Sequence, residues 1–199
     1  MHPNDEIKRI VACLNGGGVV LMPTDTVYGL AALPARTRAV ARIYALKDRP
    51  EGMNLPIMVD SVERLLVLGV AIGEAARRLL DSPLIPGALT LALGFRDRPI
   101  PDWLQGRDEV AVRIPDDKRL LEVLRQTGPL LVTSANRHGN PTPGALAEAL
   151  AQLDGTVDLT IDGGQLSTAP STLVNCRRNP PVIERVGTVS EAEIARYVK

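Results

Sequence analysis

The sequence predicts an α/β fold: a twisted, mixed parallel/antiparallel sheet flanked by helices. Two observations lead there. Short apolar runs of strand length alternate with segments whose apolar residues recur at helical spacing. The final third is richer in strand-like runs than the rest, so the sheet is expected to be mixed, not purely parallel. With 199 residues, 45% of them hydrophobic, the chain can bury one full core, and one domain over residues 1–199 is expected.

The elements follow in order. Ile7, Ile10, Val11 and Leu14 share one helical face, with Asn4 or Asp5 as cap and Gly16 to Gly18 as stop. Val19 to Met22 reads as a buried strand. Val40, Ile43, Tyr44 and Leu46 mark a second helix, and Leu55 to Val59 a strand. Ser61 can cap a helix, and Glu74 to Leu80 forms another. Leu89 to Phe95 and Val110 to Ile114 are strands. Asp116 or Asp117 caps a helix carrying Leu120, Leu121 and Leu124, followed by a short strand from Leu130 to Thr133. Thr142 and Pro143 are expected to open a helix through Leu153. Val157 to Ile161, Thr172 to Cys176 and Val182 to Val186 are strands, and Ser190 with Glu193 has capping-box spacing before a closing helix. The Pro/Gly/Asp-rich stretch from Gly94 to Gly106 reads as a loop.

Composition excludes several classes. Lys plus Arg and Asp plus Glu both number 23, which argues against a life of non-specific nucleic-acid binding, though not against a local basic face. One Phe and one Trp supply little stacking surface for single strands. The 2 cysteines, Cys13 and Cys176, lack metal-ligand spacing and read as small buried side chains of a chain kept in a reducing compartment. His2 and His138 are the only histidines, too few for a His-rich metal site and a poor basis for a Ser-His-Asp triad. The polar N-terminus predicts no signal peptide, and no apolar run is long enough to span a bilayer, so a cytoplasmic location is expected.

The polar clusters fall beside strand ends: PTDTVYGL after the first strand, VAVRIP with Arg113, VTSANRHGNPTP with Ser134 and Asn136, APSTLV with Ser171, and IERVG with Arg185. Crevices at strand ends are the usual ligand sites of open α/β sheets. Hydroxyls, an amide, Lys47 and several arginines converging there would suit a polyanion, since arginine offers planar forks and lysine a point charge. Each element alone has a plainer reading. Lys47 and Arg49 close a helix, where cations meet the negative end of the dipole; Ser and Asn are common turn formers, and Asp25 can cap a turn. The GGG at 16–18 lacks the GK[ST] ending of a phosphate loop. Only the combination favours a site.

PTDTVYGL, KDRP followed by LPIMV, PGALTLAL, VAVRIP, TSANRHGNPTP, DGG, PSTLV and ERVG occur in the order of the YrdC-type family, which includes the threonylcarbamoyl-AMP synthases. The resemblance runs from about Gly17 to Gly187, and its eight motifs in register make it specific. The chain resembles the short, single-domain bacterial type, without the C-terminal domain of longer members. The resemblance implies a nucleotidyltransferase that forms threonylcarbamoyl-AMP and pyrophosphate from L-threonine, bicarbonate or carbon dioxide, and ATP. A downstream enzyme then passes the threonylcarbamoyl group to tRNA. Mg2+ would arrive on the ATP phosphates. Carried over by motif, Thr26, Arg113, Ser134 and Ser171 would bind threonine. Lys47, Arg49, Asn136 and Arg185 would bind the nucleotide, with Lys47 and Arg49 acting in catalysis. The chain departs from the family at Met53, Asn54 and Met58, where other members carry a Lys or Asn, a proline and a histidine, and reads RVG for RPG. Two alternatives stand beside this reading: a non-catalytic paralogue that binds double-stranded RNA or tRNA on a concave basic surface, and a carbamoyl-transfer domain of the hydrogenase-maturation kind.

Overall fold

A computed structural model describes residues 3–96, 102–104 and 108–198; His2 and part of the Gly94–Gly106 stretch lie outside them. The strands are β1 (Val20–Met22), β2 (Gly29–Ala32), β3 (Ile57–Met58), β4 (Val70–Ala71), β5 (Leu89–Phe95), β6 (Glu109–Arg113), β7 (Leu130–Ser134), β8 (Leu159–Thr160), β9 (Thr172–Asn175) and β10 (Val182–Arg185). The helices are α1 (Pro3–Asn15), α2 (Thr37–Lys47), α3 (Val62–Val67), α4 (Glu74–Leu80), α5 (Lys118–Thr127), α6 (Leu146–Gln152) and α7 (Glu191–Ile194). All ten strands join one sheet in the order β10-β9-β5-β6-β3-β7-β2-β1-β8, with β4 on β5. The β1–β8, β3–β6 and β5–β9 pairs are parallel and the rest antiparallel, which makes the sheet mixed as expected.

Strand alternation sends side chains to two faces. On one face Leu21, Leu30, Ile57, Leu89, Leu91, Leu93, Val110, Val112, Leu131 and Val174 form the larger core, under Ala39 and Ile43 of α2, Ala76 and Leu79 of α4, Ala149 of α6 and Ile194 of α7. On the other face Val20, Met22, Ala31, Met58, Leu130 and Val132 meet Ile10 and Leu14 of α1 and Leu120, Val123 and Leu124 of α5. Strand β1 is buried on both faces and therefore reads as a continuous apolar run, VLM. The α1–α5 layer covers the β1–β2–β7 side of this second face; among the described residues no other helix contributes to that cluster, and the β5, β6 and β9 residues on this face stay outside it.

Local chemistry fixes most boundaries. Ser61 Oγ accepts from Arg64 N, Asp117 Oδ1 from Leu120 N, and Ser190 Oγ from Glu193 N: three of the four caps expected, with Asp117 taking the role left open between it and Asp116. Other expectations are corrected. Helix α1 already includes Pro3, so Asn4 and Asp5 lie within its first turn. Helix α6 starts at Leu146, not at Thr142–Pro143, because Glu148 turns back to accept the N–H groups of Gly144 and Ala145 and closes the helix end there. Strands β2 and β4 were not foreseen. Strand β2 pairs with β1 across the Thr24–Tyr28 turn, and its GLAA run looks neither β-branched nor alternating.

The DGG stretch has a structural task. Tyr28, with no exposed surface, sends its hydroxyl to that loop: it accepts from Gly163 N (2.9 Å) and donates to Gly164 O (2.8 Å), beside Asp162 Oδ1. A Cβ at Gly163 would stand 2.6 Å from Pro23 Cβ, so only glycine lets the loop pass. Tyr28→Phe should cost about 1–3 kcal/mol of unfolding free energy, because it leaves the Gly163 N–H without its acceptor. Urea unfolding of the two proteins checks this, and an unchanged midpoint would refute the clasp.

Candidate active site

The functional side chains gather on the sheet face beyond the α1–α5 layer. In β5 and β6 the large residues Leu89, Leu91, Leu93, Val110 and Val112 point to the larger core. Thr90, Ala92, Ala111 and Arg113, in between, line the crevice. Small residues on that side keep its floor low. Strand β10 joins through a bulge: Ile183 pairs with Val174, but the register then shifts so that Arg185, not Glu184, lies opposite Leu173. Leu173 lines the crevice. The bulge therefore turns Arg185 from the core face, which simple alternation assigns it, to the crevice face.

The crevice has two compartments that share Arg49, Pro56, Thr90, Ser134, Pro170 and Arg185. The inner one, with a cavity volume of ≈ 120 Å³, adds Thr24, Thr26, Met58 and Ser171 among others, and Arg113 at its base. Arg113 is only 5% exposed and is oriented at three points: Nε donates to Gly87 O, and its two terminal nitrogens donate to Thr26 Oγ1 and Asp25 Oδ2, each at 2.9 Å. Burial works against its charge and Asp25 supports it. Asp25 Oδ2 also accepts Asp116 N, so the residue that could have been a simple turn cap instead anchors an arginine. Thr24 Oγ1 donates to Val27 O, so Thr26 supplies the proton of the Thr24–Thr26 contact and keeps a lone pair for a ligand. Opposite, Thr90 Oγ1 and Ser171 Oγ are 2.7 Å apart, and Arg185 donates twice to Ser171 O. Gly187 lies so close to this turn that any Cβ would collide with Pro170 O and Ser171 C, which accounts for the glycine of ERVG.

The outer compartment is larger, ≈ 1050 Å³, and adds Lys47, Met53, Asn54, Asn136 and His138 on one side and Asp108, Glu109, Arg177 and Glu184 on the other. Lys47 is 1% exposed, so it is no solvated helix-end charge. Its ammonium donates to Ser134 O and Asn136 O, both 2.5 Å, and to Asn136 Oδ1 at 3.3 Å, using all three N–H groups. Ser134 Oγ donates to the same Asn136 Oδ1, and Asn136 Nδ2 ties down Arg137 O and Asn140 O. Lys47 thus sets the shape of the SAN turn, and a phosphate would have to take it from one of those oxygens. Burial, reinforced by the charge of Arg49, pushes its pKa down to about 7. Arg49 donates to Asn54 O, and burial and Arg49 weigh against the charge of Arg185.

All the residues singled out from sequence therefore border this crevice. Thr26, Arg113 and Ser171 line the inner compartment, Lys47 and Asn136 the outer, and Arg49, Ser134 and Arg185 both. Sequence reasoning missed Thr90 and the anchoring task of Asp25. The alternation of leucine with Thr and Ala in LTLALG was the available signal for Thr90. Asp108 and Glu109 are held by Arg177, and Glu184 by Asn175. Among the described residues no group of three or more His, Cys, Asp or Glu could hold a metal, and no helix is long and apolar enough to cross a membrane.

Comparison with known proteins gives this crevice its relatives. Residues 12–187 match the family model Sua5_yciO_yrdC, described as "Telomere recombination". The threonylcarbamoyl-AMP synthase of Bacillus subtilis is 34% identical over 100% of this chain, which spans 58% of that protein. The Sua5 protein of Pyrococcus abyssi, in a crystal structure with L-threonine, aligns with a TM-score of 0.87 at 33% identity, over 96% of this chain and 57% of its own. The YciO protein of Escherichia coli aligns with a TM-score of 0.85 at 27% identity, over 96% of this chain and 93% of its own. The chain thus spans little more than half of the first two relatives and nearly all of the third. Matched over all but its two ends, the chain belongs to the Sua5/YciO/YrdC family.

Proposed function

We propose that the chain is a threonylcarbamoyl-AMP synthase, a nucleotidyltransferase that joins L-threonine, bicarbonate or carbon dioxide, and ATP into threonylcarbamoyl-adenylate and pyrophosphate. The observation that carries this is the pair of compartments with a shared, cationic junction. A small cavity with a fixed guanidinium at its base suits an amino acid, and a large one edged by Lys47, Arg49 and Arg185 suits a nucleotide. Their meeting point, at Arg49, Ser134 and Arg185, is where a carbamate oxygen and an α-phosphorus would be brought into line. The homologous synthase in Bacillus and the threonine complex of the Pyrococcus protein support the same reading.

In this reading Arg113 grips the α-carboxylate, while Thr26, Ser134 and Ser171 meet the polar groups of threonine. Asn136 and Arg185 hold the nucleotide. Arg49 and Lys47 neutralise the phosphates during displacement, Lys47 also through the turn it shapes. Both reactants are anions, so the chain's work is alignment and charge neutralisation, with no protein nucleophile. Magnesium would enter with ATP, carried by its phosphates, in keeping with carboxylates that are already held by Arg177 and Asn175. The product would pass to a threonylcarbamoyl-transfer enzyme acting on tRNA in the cytoplasm.

Pyrophosphate release should require L-threonine and bicarbonate together and should fall by roughly a hundredfold or more with L-valine, which lacks the hydroxyl that would bond to the pocket oxygens. Equal turnover with valine would sink the reading, and tRNA binding with no threonine-dependent release would favour the RNA-binding paralogue. Carbamoyl phosphate replacing bicarbonate plus threonine would favour the carbamoyl-transfer alternative.

Arg113→Lys keeps the charge but loses the fork. It should raise the threonine KM by about tenfold or more, through the loss of a charge-assisted bond of roughly 1.5–3 kcal/mol, and leave the ATP KM within about twofold. A change confined to ATP would reassign Arg113.

Lys47 gives a pH signature. Its pKa is near 7 in the folded chain and ordinary in the unfolded one, so between those values the unfolded chain binds more protons and stability rises with pH. Lys47→Met should remove that rise. Urea unfolding at pH 7, 8.5 and 10 should show the wild type gaining on the variant as pH increases, and parallel profiles would contradict the lowered pKa of Lys47.

A further inference from the structure

Lys47 and Arg49 line the same compartment, although they stand two residues apart at the end of a helix. Had α2 run on, they would lie about 200° apart around its axis and face opposite ways. The bend between them is made by Asp48, with φ 51° and ψ 43°. Among the described residues Asp48 is the only one other than glycine with a positive φ. Side chains with a Cβ rarely adopt this left-handed conformation, and Asp and Asn tolerate it better than others. Such outliers gather at functional sites, where the surrounding structure holds them.

Hydrogen bonds hold this one. Asp48 N donates to Ala45 O and Arg49 N to Tyr44 O, the two bonds that a left-handed residue closes at a helix C-terminus. Leu46 O accepts from Asp154 N and Lys47 O from His138 N, so each of the last four carbonyls of α2 has a partner. The Lys47 ammonium donates to Ser134 O and Asn136 O, and Arg137 donates to Asp48 Oδ2 at 2.6 Å. The end of α2 is therefore docked on residues 134–138. Neither Asp48 nor Arg137 lines either compartment, so the acid's charge stays out of the space proposed for phosphates.

We propose that Asp48 is a positioning residue: its left-handed backbone turns the chain between Lys47 and Arg49 so that both cations enter the outer compartment, one fixed on the SAN turn and the other at the junction. The inference rests on the synthase reading in taking that compartment to hold the ATP phosphates. The backbone of Asp48 carries the role and its carboxylate does not. The pair with Arg137 is exposed on both sides, 66% at Asp48 and 47% at Arg137, and exposed pairs contribute little. A residue that resists the left-handed state favours continuing the helix, which carries Arg49 away from Lys47 and divides the charge that meets the phosphates.

Titration calorimetry of the whole chain with ATP and with L-threonine, beside melting temperature and pyrophosphate release, tests this. Asp48→Gly and Asp48→Asn accept a positive φ and should keep the ATP Kd within about threefold of wild type. Asp48→Val, which is β-branched, should raise it by about tenfold or more, the equilibrium handicap of a left-handed backbone for such a residue, and leave the threonine Kd within about twofold. Asp48→Ala should fall between Gly and Val, and it carries the comparison if the valine variant does not fold. Lower melting temperatures in the Ala and Val variants with an unchanged ATP Kd would reduce Asp48 to a helix cap and overturn the inference. Equal loss of ATP affinity in the Gly, Asn and Val variants would assign the effect to the carboxylate and overturn it as well. A wild type that binds ATP without threonine-dependent pyrophosphate release overturns the synthase reading alone, and the Kd series still decides this inference. A wild type that binds no ATP overturns both.

Discussion

One face of the sheet is only partly covered, and the rest of the molecule is organised around that fact. Helices α1 and α5 bury Val20, Met22, Ala31, Leu130 and Val132. Among the described residues, the continuation of the same face across β6, β5 and β9 has no helix in that cluster. A sheet face left open to solvent must carry polar or small side chains. Here it carries Thr90, Ala92, Ala111 and Arg113, which become the floor of the crevice, with Leu173 as a larger apolar residue beside them. The opposite face, packed by α2, α4, α6 and α7, supplies the stability that lets this one be polar.

Charge is held on that floor by two different devices. Arg113 is fixed by an acid, a hydroxyl and a carbonyl, so its direction is settled before any ligand arrives. Lys47 is fixed by three oxygens of the turn it organises, and its burial leaves its charge finely balanced near neutrality. Arg185 rests on Ser171 O with no acidic partner among its described bonds. Such preorganised, desolvated cations are the arrangement expected where two anions must be brought together and one bond moved between them.

The departures at Met53, Asn54 and Met58 take definite places within this scheme. Met58 lines the inner compartment, and Met53 and Asn54 the outer one. Asn54 supplies the carbonyl that holds Arg49 and sends its own amide toward Glu109 O. A proline at that position would keep the carbonyl and lose the amide, so the backbone hold on Arg49 does not depend on which residue stands there.

Sequence by itself determined most element types, the caps at Ser61 and Ser190 and a cap at Asp116 or Asp117, the mixed character of the sheet, and the family, because these follow from periodicity, local hydrogen bonding and motifs read along the chain. It also named Thr26, Lys47, Arg49, Arg113, Ser134, Asn136, Ser171 and Arg185, since their motifs stand out in the linear string. Strand β2 stayed hidden: GLAA has weak strand propensity and is held by its neighbours β1 and β7. Tertiary structure alone decided that Lys47 is buried and saturated, that Asp25 serves Arg113 across 88 residues of chain, that Thr90 meets Ser171, and that a bulge turns Arg185 to the crevice. The physical reason is common to all four. Burial, pairing between distant segments and strand register depend on which strands become neighbours, and local sequence carries no term for that.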